Sequence, residues 1–337
     1  MTDTAKPLAP GFRITRTQQI ILVASIVLYG AGAFVVYRHI DTAVLRMAQA
    51  LPLALIAALL GLSFLNYTIR AWRWVVLGNY LGFRVPLRDN VLYYLAGYSL
   101  TSTPGKAGEA VRLWFLKSGH GVPYTKSLPL MLADRIIDMW AVLILALLSC
   151  AGFTAYAWQG LLLGLLVVVV SIPILWPLRF KPVLLWLYKL MPRRGRLLAR
   201  AHRTARALAH LVSWRTYGVT LLPSIAGWFA ECAALYLLLQ HLGAPISVAN
   251  AVFVFSFSMI VGAASMLPGG LGSTEATIVL LLKAIGVDLD VALAATAIVR
   301  ITTFWFAVAI GAALMPAALQ VSARAASTGR LQAASAR

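Results

Sequence analysis

The chain carries only ten acidic residues. Five of them, Glu109, Asp134, Asp138, Glu231 and Glu275, fall in or beside apolar stretches, where an unpaired charge costs at least about 2.5–3.5 kcal/mol. Each therefore needs a cationic partner or a wet cavity, and the basic residues on offer are Lys106, Arg112, Arg135 and Arg300. Two of the acids sit in copies of one pattern. Thr101 to Leu116 reads TSTPGKAGEAVRLWFL and Ser265 to Leu282 reads SMLPGGLGSTEATIVLLL. In both, an apolar run meets Pro-Gly, crosses small residues, reaches a single Glu and resumes as an apolar helix. Pro104, Gly105 and Glu109 match Pro268, Gly269 and Glu275, and Arg135 follows the first Pro at nearly the spacing with which Arg300 follows the second. A duplicated break in apolar segments is a sequence pointer to a transporter binding site.

The chemistry open to these residues is ionic recognition. Amides freed at Pro104-Gly105 and Pro268-Gly269-Gly270, with helices restarting behind them, can receive an anionic oxygen, and arginine is the bidentate complement of phosphate. A phospholipid or polyprenyl-phosphate headgroup suits that chemistry. Two plainer readings stand beside it. The charges can form fixed pairs that only hold the hairpins, with Asp134 and Asp138, four residues apart around Arg135, the simplest case; the glycines can serve only close helix packing. If Glu109 and Glu275 line a wet cavity, Glu→Gln leaves folding nearly unchanged and abolishes translocation, whereas breaking a static buried pair costs about 3–5 kcal/mol. No metal or cofactor is expected. The five histidines are dispersed away from cysteine and carboxylate partners. Gly105-Lys106 lacks the remainder of a P-loop, because Leu100 and Ala107 occupy the places of the first Gly and the Ser or Thr. Cys150 and Cys232 lie far apart in apolar runs and suggest neither disulfide nor metal.

Composition places these groups in a membrane. The chain is 61% hydrophobic and 12% charged, with mean hydropathy +0.84, against about 25% charged residues in a soluble domain. That marks an all-α, polytopic membrane protein. The net charge of +19 lies in the breaks between apolar runs, the distribution of cytoplasmic loops rather than of a nucleic-acid surface.

In chain order, residues 1–16 form a basic tail, and the apolar run from Gln19 to Tyr37 exceeds the signal-peptide core of about 7–15 residues. Span two, Leu51 to Ile69, ends in Arg70, Trp72, Arg73 and Trp74, a cluster of the kind that anchors a helix end at the headgroup layer. A broken element from Val91 to Leu116 has basic flanks on both sides, which suits a hairpin entering and leaving on the cytoplasmic side. Span three, Leu128 to Cys150, and span four, Trp158 to Trp176, follow. Residues 179–215 hold ten Lys or Arg and no acid, an amphipathic helix on the inner leaflet or a solvated basic loop. Span five, Tyr217 to Leu239, contains Glu231 and leads to a turn without Lys or Arg; a second broken element, Val248 to Ala284, is thereby entered from outside. Span six runs from Val291 to Ala313, before a tail at 319–337. The expectation is about six transmembrane helices and two re-entrant hairpins in one domain over 17–318, with both termini cytoplasmic. Repeat one covers about 50–150 and repeat two about 215–315, in inverted orientation.

Several of these stretches resemble the lysylphosphatidylglycerol synthase transmembrane-region family, the flippase half of the bacterial multiple peptide resistance factor. The carriers are Arg70-Ala-Trp-Arg-Trp, Thr103-Pro-Gly-Lys-Ala-Gly-Glu109 with Arg112, Asp134-Arg-Ile-Ile-Asp138, and Pro268-Gly-Gly-Leu-Gly-Ser-Thr-Glu275 with Arg300. The resemblance implies a lipid flippase of the bacterial inner membrane that recognises anionic headgroups through these residues. A lipid-modifying enzyme is an implied partner, and no nucleic acid is. Transferase activity is not expected, since fused members place it in a separate soluble domain for which this chain has no room. The competing reading is a membrane-embedded enzyme or accessory subunit of lipid-linked glycan or aminoacyl-lipid synthesis.

Overall fold

The computed structural model describes residues 47, 49–101, 103, 108–150, 165 and 214–335. The expected span one, all of span four but residue 165, residues 179–213 of the basic segment and the Pro104, Gly105 and Lys106 run lie outside the described residues. Among the described residues the chain is helical, with no strand. Helix α1 (Leu53–Tyr80) and helix α5 (Trp214–His241) each hold 28 residues, about 42 Å at 1.5 Å per residue. That exceeds the ~30 Å hydrocarbon core of a bilayer. Helix α4 (Tyr124–Ser149) lies between them. At the far end α8 (Leu289–Arg300), a π turn (Ile301–Trp305) and α9 (Phe306–Ser335) follow without interruption. Leu53–Tyr80, Gly218–His241 and Leu289–Thr328 are long and apolar enough to cross a membrane. The protein is thus an all-α, multi-pass membrane protein.

The arms of the two broken elements are shorter. Helices α2 (Leu87–Ala96) and α3 (Val111–His120) have 10 residues each, about 15 Å apiece. Helices α6 (Val248–Ala264) and α7 (Ser273–Ala284) have 17 and 12. None covers ~30 Å alone, so each pair folds back. In the first, Tyr93 stacks on Phe115 at 4.9 Å, and Arg112, nearer the start of α3, reaches the Tyr94 carbonyl at 3.0 Å. The two halves enter their hairpins by like turns. Gly82 and Gly243 adopt φ of 76° and 75°, a region that glycine alone reaches without strain. They let Phe83 N reach Gly78 O and Ala244 N reach Leu239 O, both at 3.0 Å, closing the helix ends.

Among the described helices, α1 and α5 pack on each other more extensively than any other pair, and they run antiparallel. Asn66 bonds Glu231, Arg70 lies over Trp228 and Arg73 bonds Ser224, so the partner number falls as that on α1 rises. The hairpins are exchanged between halves. Helix α6 of the second hairpin packs on α4, while α2 and α3 of the first pack on α9. Small residues permit the second contact: a Cβ on Gly311 of α9 would stand 2.2 Å from the Ser99 amide.

Two boundaries differ from those expected. Helix α1 does not end at the Arg-Trp cluster but continues to Tyr80. Arg73 and Trp74 are fully buried there, and Arg70 nearly so. Each guanidinium meets a carboxylate of α4 and needs no headgroup. The last helix continues past Ala313 to Ser335, so the expected tail at 319–337 is helical through Ser335.

Candidate functional site

The first hairpin and the middle of α1 and α4 enclose a network of guanidiniums and carboxylates. Arg73 donates to Asp134 Oδ1 through Nη2 at 2.5 Å and Nε at 3.0 Å, and from Nη1 to Asp138 Oδ1 at 2.9 Å and Ser224 Oγ at 2.7 Å. Arg70 Nη2 reaches Asp138 Oδ2 at 2.7 Å, and the Trp228 indole also donates to Asp138. Spacing explains the match. Arg70 and Arg73 lie three apart on α1, Asp134 and Asp138 four apart on α4, so each pair shares a helix face.

A second layer sits at the break. Glu109 is 1% exposed and binds Arg112 Nη1 at 2.8 Å on Oε2. The same oxygen accepts from Arg135 Nη2, and Oε1 accepts from the Thr101 hydroxyl at 3.0 Å. The Arg112 guanidinium lies 3.9 Å from the centre of the Tyr94 ring and 5.0 Å from that of Tyr98. This arrangement requires Gly97, where a Cβ would come within 2.3 Å of Arg112 Nε.

The second hairpin repeats one part of this arrangement. Gly269, Gly270 and Gly272 take φ of 60°, 67° and 81° through the break. Behind it Glu275 caps α7, its Oε2 accepting from the Gly272 amide at 2.7 Å, while Oε1 accepts from Arg300 Nε at 2.5 Å. Arg300 also donates to Gly269 O at 3.2 Å. Arg300 is buried, but the Glu275 side chain is 27% exposed. The Arg135–Glu109 pair joins the first break to the next long helix just as Arg300–Glu275 joins the second.

Of the residues expected at the site, Arg70, Glu109, Arg112, Asp134, Arg135 and Asp138 gather in the first half, and Pro268, Gly269, Gly270, Glu275 and Arg300 in the second. Pro104, Gly105 and Lys106 lie outside the described residues. Glu231 lies on α5, with Asn66 Nδ2 donating to it at 2.6 Å. Asp134 and Asp138 do not form a local pair with Arg135; they hold Arg73 and Arg70. Arg73, Tyr94 and Tyr98 went unrecognised as members of the cluster. The readable signal for Arg73 was its three-residue offset from Arg70, set against the two aspartates.

The chain is similar in sequence to membrane proteins of two archaea, at modest identity. A UPF0104 membrane protein of Methanothermobacter thermautotrophicus is 25% identical over 88% of this chain and 92% of its own length. A second from the same organism is 25% identical over 72% of this chain and 77% of its own. One from Pyrococcus horikoshii is 27% identical over 63% and 71%. The lysylphosphatidylglycerol synthase TM region family matches residues 21–311, a span that contains both hairpins and every ion pair described above. The chain therefore belongs to the lysylphosphatidylglycerol synthase transmembrane-region family.

Proposed function

We propose that the protein is a lipid translocator of the bacterial inner membrane. It moves an anionic or phosphate-bearing lipid, a (glyco)phospholipid or polyprenyl-phosphate, between leaflets by alternately opening two inverted halves. The observation that carries this reading is the Glu–Arg bridge from break to following helix, Glu109–Arg135 in one half and Glu275–Arg300 in the other. A pair of equivalent latches suits a cycle in which one is closed while the other parts. The antiparallel α1 and α5, and the exchange of hairpins between halves, support the inversion.

The reading is of a transporter, not an enzyme. Glu109, Asp134, Asp138 and Glu275 are each engaged by guanidinium groups, which suits ionic recognition better than proton transfer. The test is reconstitution into vesicles holding a trace of headgroup-labelled phosphatidylglycerol. Addition of an impermeant quencher should extinguish about half the label in empty vesicles and substantially more when the protein is present. Quenching equal to that of empty vesicles would overturn the proposal.

Inversion has its own test. The turn residues Arg84 and Pro245 are exposed. In a chain carrying Cys150→Ala and Cys232→Ala, single Arg84→Cys and Pro245→Cys variants should react with an impermeant maleimide from opposite faces. Labelling of both from one face would remove the inverted repeat.

A further inference from the structure

The two latches are alike, but what surrounds them is not. Counting from the turn glycines Gly82 and Gly243, the places of Arg70 and Arg73 on α1 are taken by Glu231 and Ala234 on α5. Counting from Gly121 and Gly286, Arg135 falls on Arg300, whereas Asp134 and Asp138 fall on Val299 and Thr303, and Arg112 on Thr277. Helix α6 has no tyrosine to match Tyr94 or Tyr98. The second half thus lacks the matching arginines on its long helix, the two aspartates and the two tyrosines.

Within the polar lining of the first half, and among the described residues, four buried donors have no hydrogen-bond partner: Arg70 Nε, Arg112 Nη2, Arg135 Nε and the Tyr98 hydroxyl. Buried donors left unmatched are costly, and these four are neighbours. Arg112 and Arg135 share one oxygen of Glu109. Arg70 and Arg112 both lie over the Tyr98 ring, at 5.6 and 5.0 Å. Arg70, Tyr98 and Arg112 are at most 5% exposed, while the Arg135 side chain is 23% exposed and opens the cluster outward. Among the described residues, four guanidiniums, Arg70, Arg73, Arg112 and Arg135, meet three carboxylates in this network, Glu109, Asp134 and Asp138.

We propose that Arg70 Nε, Arg112 Nη2, Arg135 Nε and the Tyr98 hydroxyl form a single phosphate-oxyanion site in the first half, with no counterpart in the second. Three N–H donors and one O–H on neighbouring side chains match the acceptor oxygens of a phosphomonoester or phosphodiester. The inference rests on the translocator reading and narrows it. The phosphate is recognised on one side of the pseudo-symmetry, and the second hairpin gates without reading the headgroup.

The test uses the full chain in a neutral detergent, titrated with short-chain phosphatidate, the matching diacylglycerol and inorganic phosphate. Binding is read by tryptophan fluorescence and melting temperature. Phosphatidate should saturate at one per chain and diacylglycerol should not bind. Tyr98→Phe should weaken phosphatidate binding about tenfold, as expected for loss of one hydrogen bond to a charged group. Its unliganded melting temperature should be unchanged or higher, because an unmatched hydroxyl is removed. Arg135→Gln should weaken binding at least as much. Phosphatidate binding far more tightly than inorganic phosphate assigns the site to a lipid headgroup; equal binding keeps the oxyanion site but assigns it to a soluble anion. Two phosphatidates per chain, or wild-type affinity in Tyr98→Phe, overturns the site. A wild-type protein that scrambles lipid but binds no phosphatidate overturns the site and leaves the translocator reading standing.

Discussion

Arg73→Leu should cost the protein about 3–5 kcal/mol of stability, the usual penalty for removing one member of a buried ion pair. Arg73 is fully buried and satisfies Asp134, Asp138 and Ser224 at once. Its loss strands Asp134, which keeps only a 3.5 Å contact from the Tyr94 hydroxyl. The expected result is a sharp fall in the amount of protein extracted in folded form, and an early melting transition for what survives. Arg73→Lys should rescue little, because an ammonium cannot span two carboxylates and a serine with the fork geometry of a guanidinium. Combining Arg73→Leu with Asp134→Asn should recover part of the loss, since the stranded charge is then gone. Melting of Arg73→Leu within two or three degrees of wild type would show that the network does not hold α1 to α4.

The second large effect separates the two latches. Under the proposed translocator function, Glu109→Gln and Glu275→Gln are both expected to bring lipid translocation down to the protein-free rate, because each removes one closing contact of the proposed cycle. Their stabilities should diverge. Glu109 is 1% exposed between Arg112 and Arg135, so neutralising it strands two cations and should lower stability by about 3–5 kcal/mol. The Glu275 side chain is 27% exposed, Arg300 keeps the Gly269 carbonyl as an acceptor, and a glutamine at 275 can still accept from Arg300 and cap α7. Glu275→Gln should therefore melt within a few degrees of wild type and still fail to translocate. Full translocation by that variant would remove the paired-latch mechanism. This expectation departs from the equal tolerance of the two variants that a wet cavity around both acids would give, and the difference follows from their unequal burial.

The duplicated motif made the latches legible from sequence. Pro268, Glu275 and Arg300 echo Pro104, Glu109 and Arg135 in order and spacing, and those acids do meet those arginines. The hairpins were legible too, because Pro and Gly interrupt apolar runs too short on either side to span a bilayer. What was not read was the pairing of α1 with α4. Arg70 and Arg73 follow an apolar run and alternate with Trp72 and Trp74, which resembled an interfacial anchor. Nor does a run of apolar residues mark where a helix stops. The length of α1 beyond Ile69 is set by Trp74 packing under the first hairpin, its indole donating to Asn90 at 3.0 Å. Tyr94 and Tyr98 were hidden for a similar reason: an aromatic residue in a membrane segment reads as packing until a guanidinium is placed against it.

The π turn at Ile301–Trp305 sets the angular phase of the last helix. Such a turn accommodates one residue more than an α-helix would at the same point, and each residue of α-helix rotates the chain by about 100°. Upstream of it, Arg300 is keyed to Glu275 in its own half. Downstream, Gly311 is keyed to Ser99, and Ser322 lies 2.7 Å from Ser118, both in the other half. The extra residue is the offset between these two keys, and the Tyr67 hydroxyl, donating to Thr303 O, clasps it from α1. A chain shortened by one residue here would keep its length across the bilayer, its hydrophobicity and the Arg300 latch. Its final helix would then turn a different face, about 100° away, to the first hairpin, with bulky side chains where the backbone of Ser99 now meets a glycine.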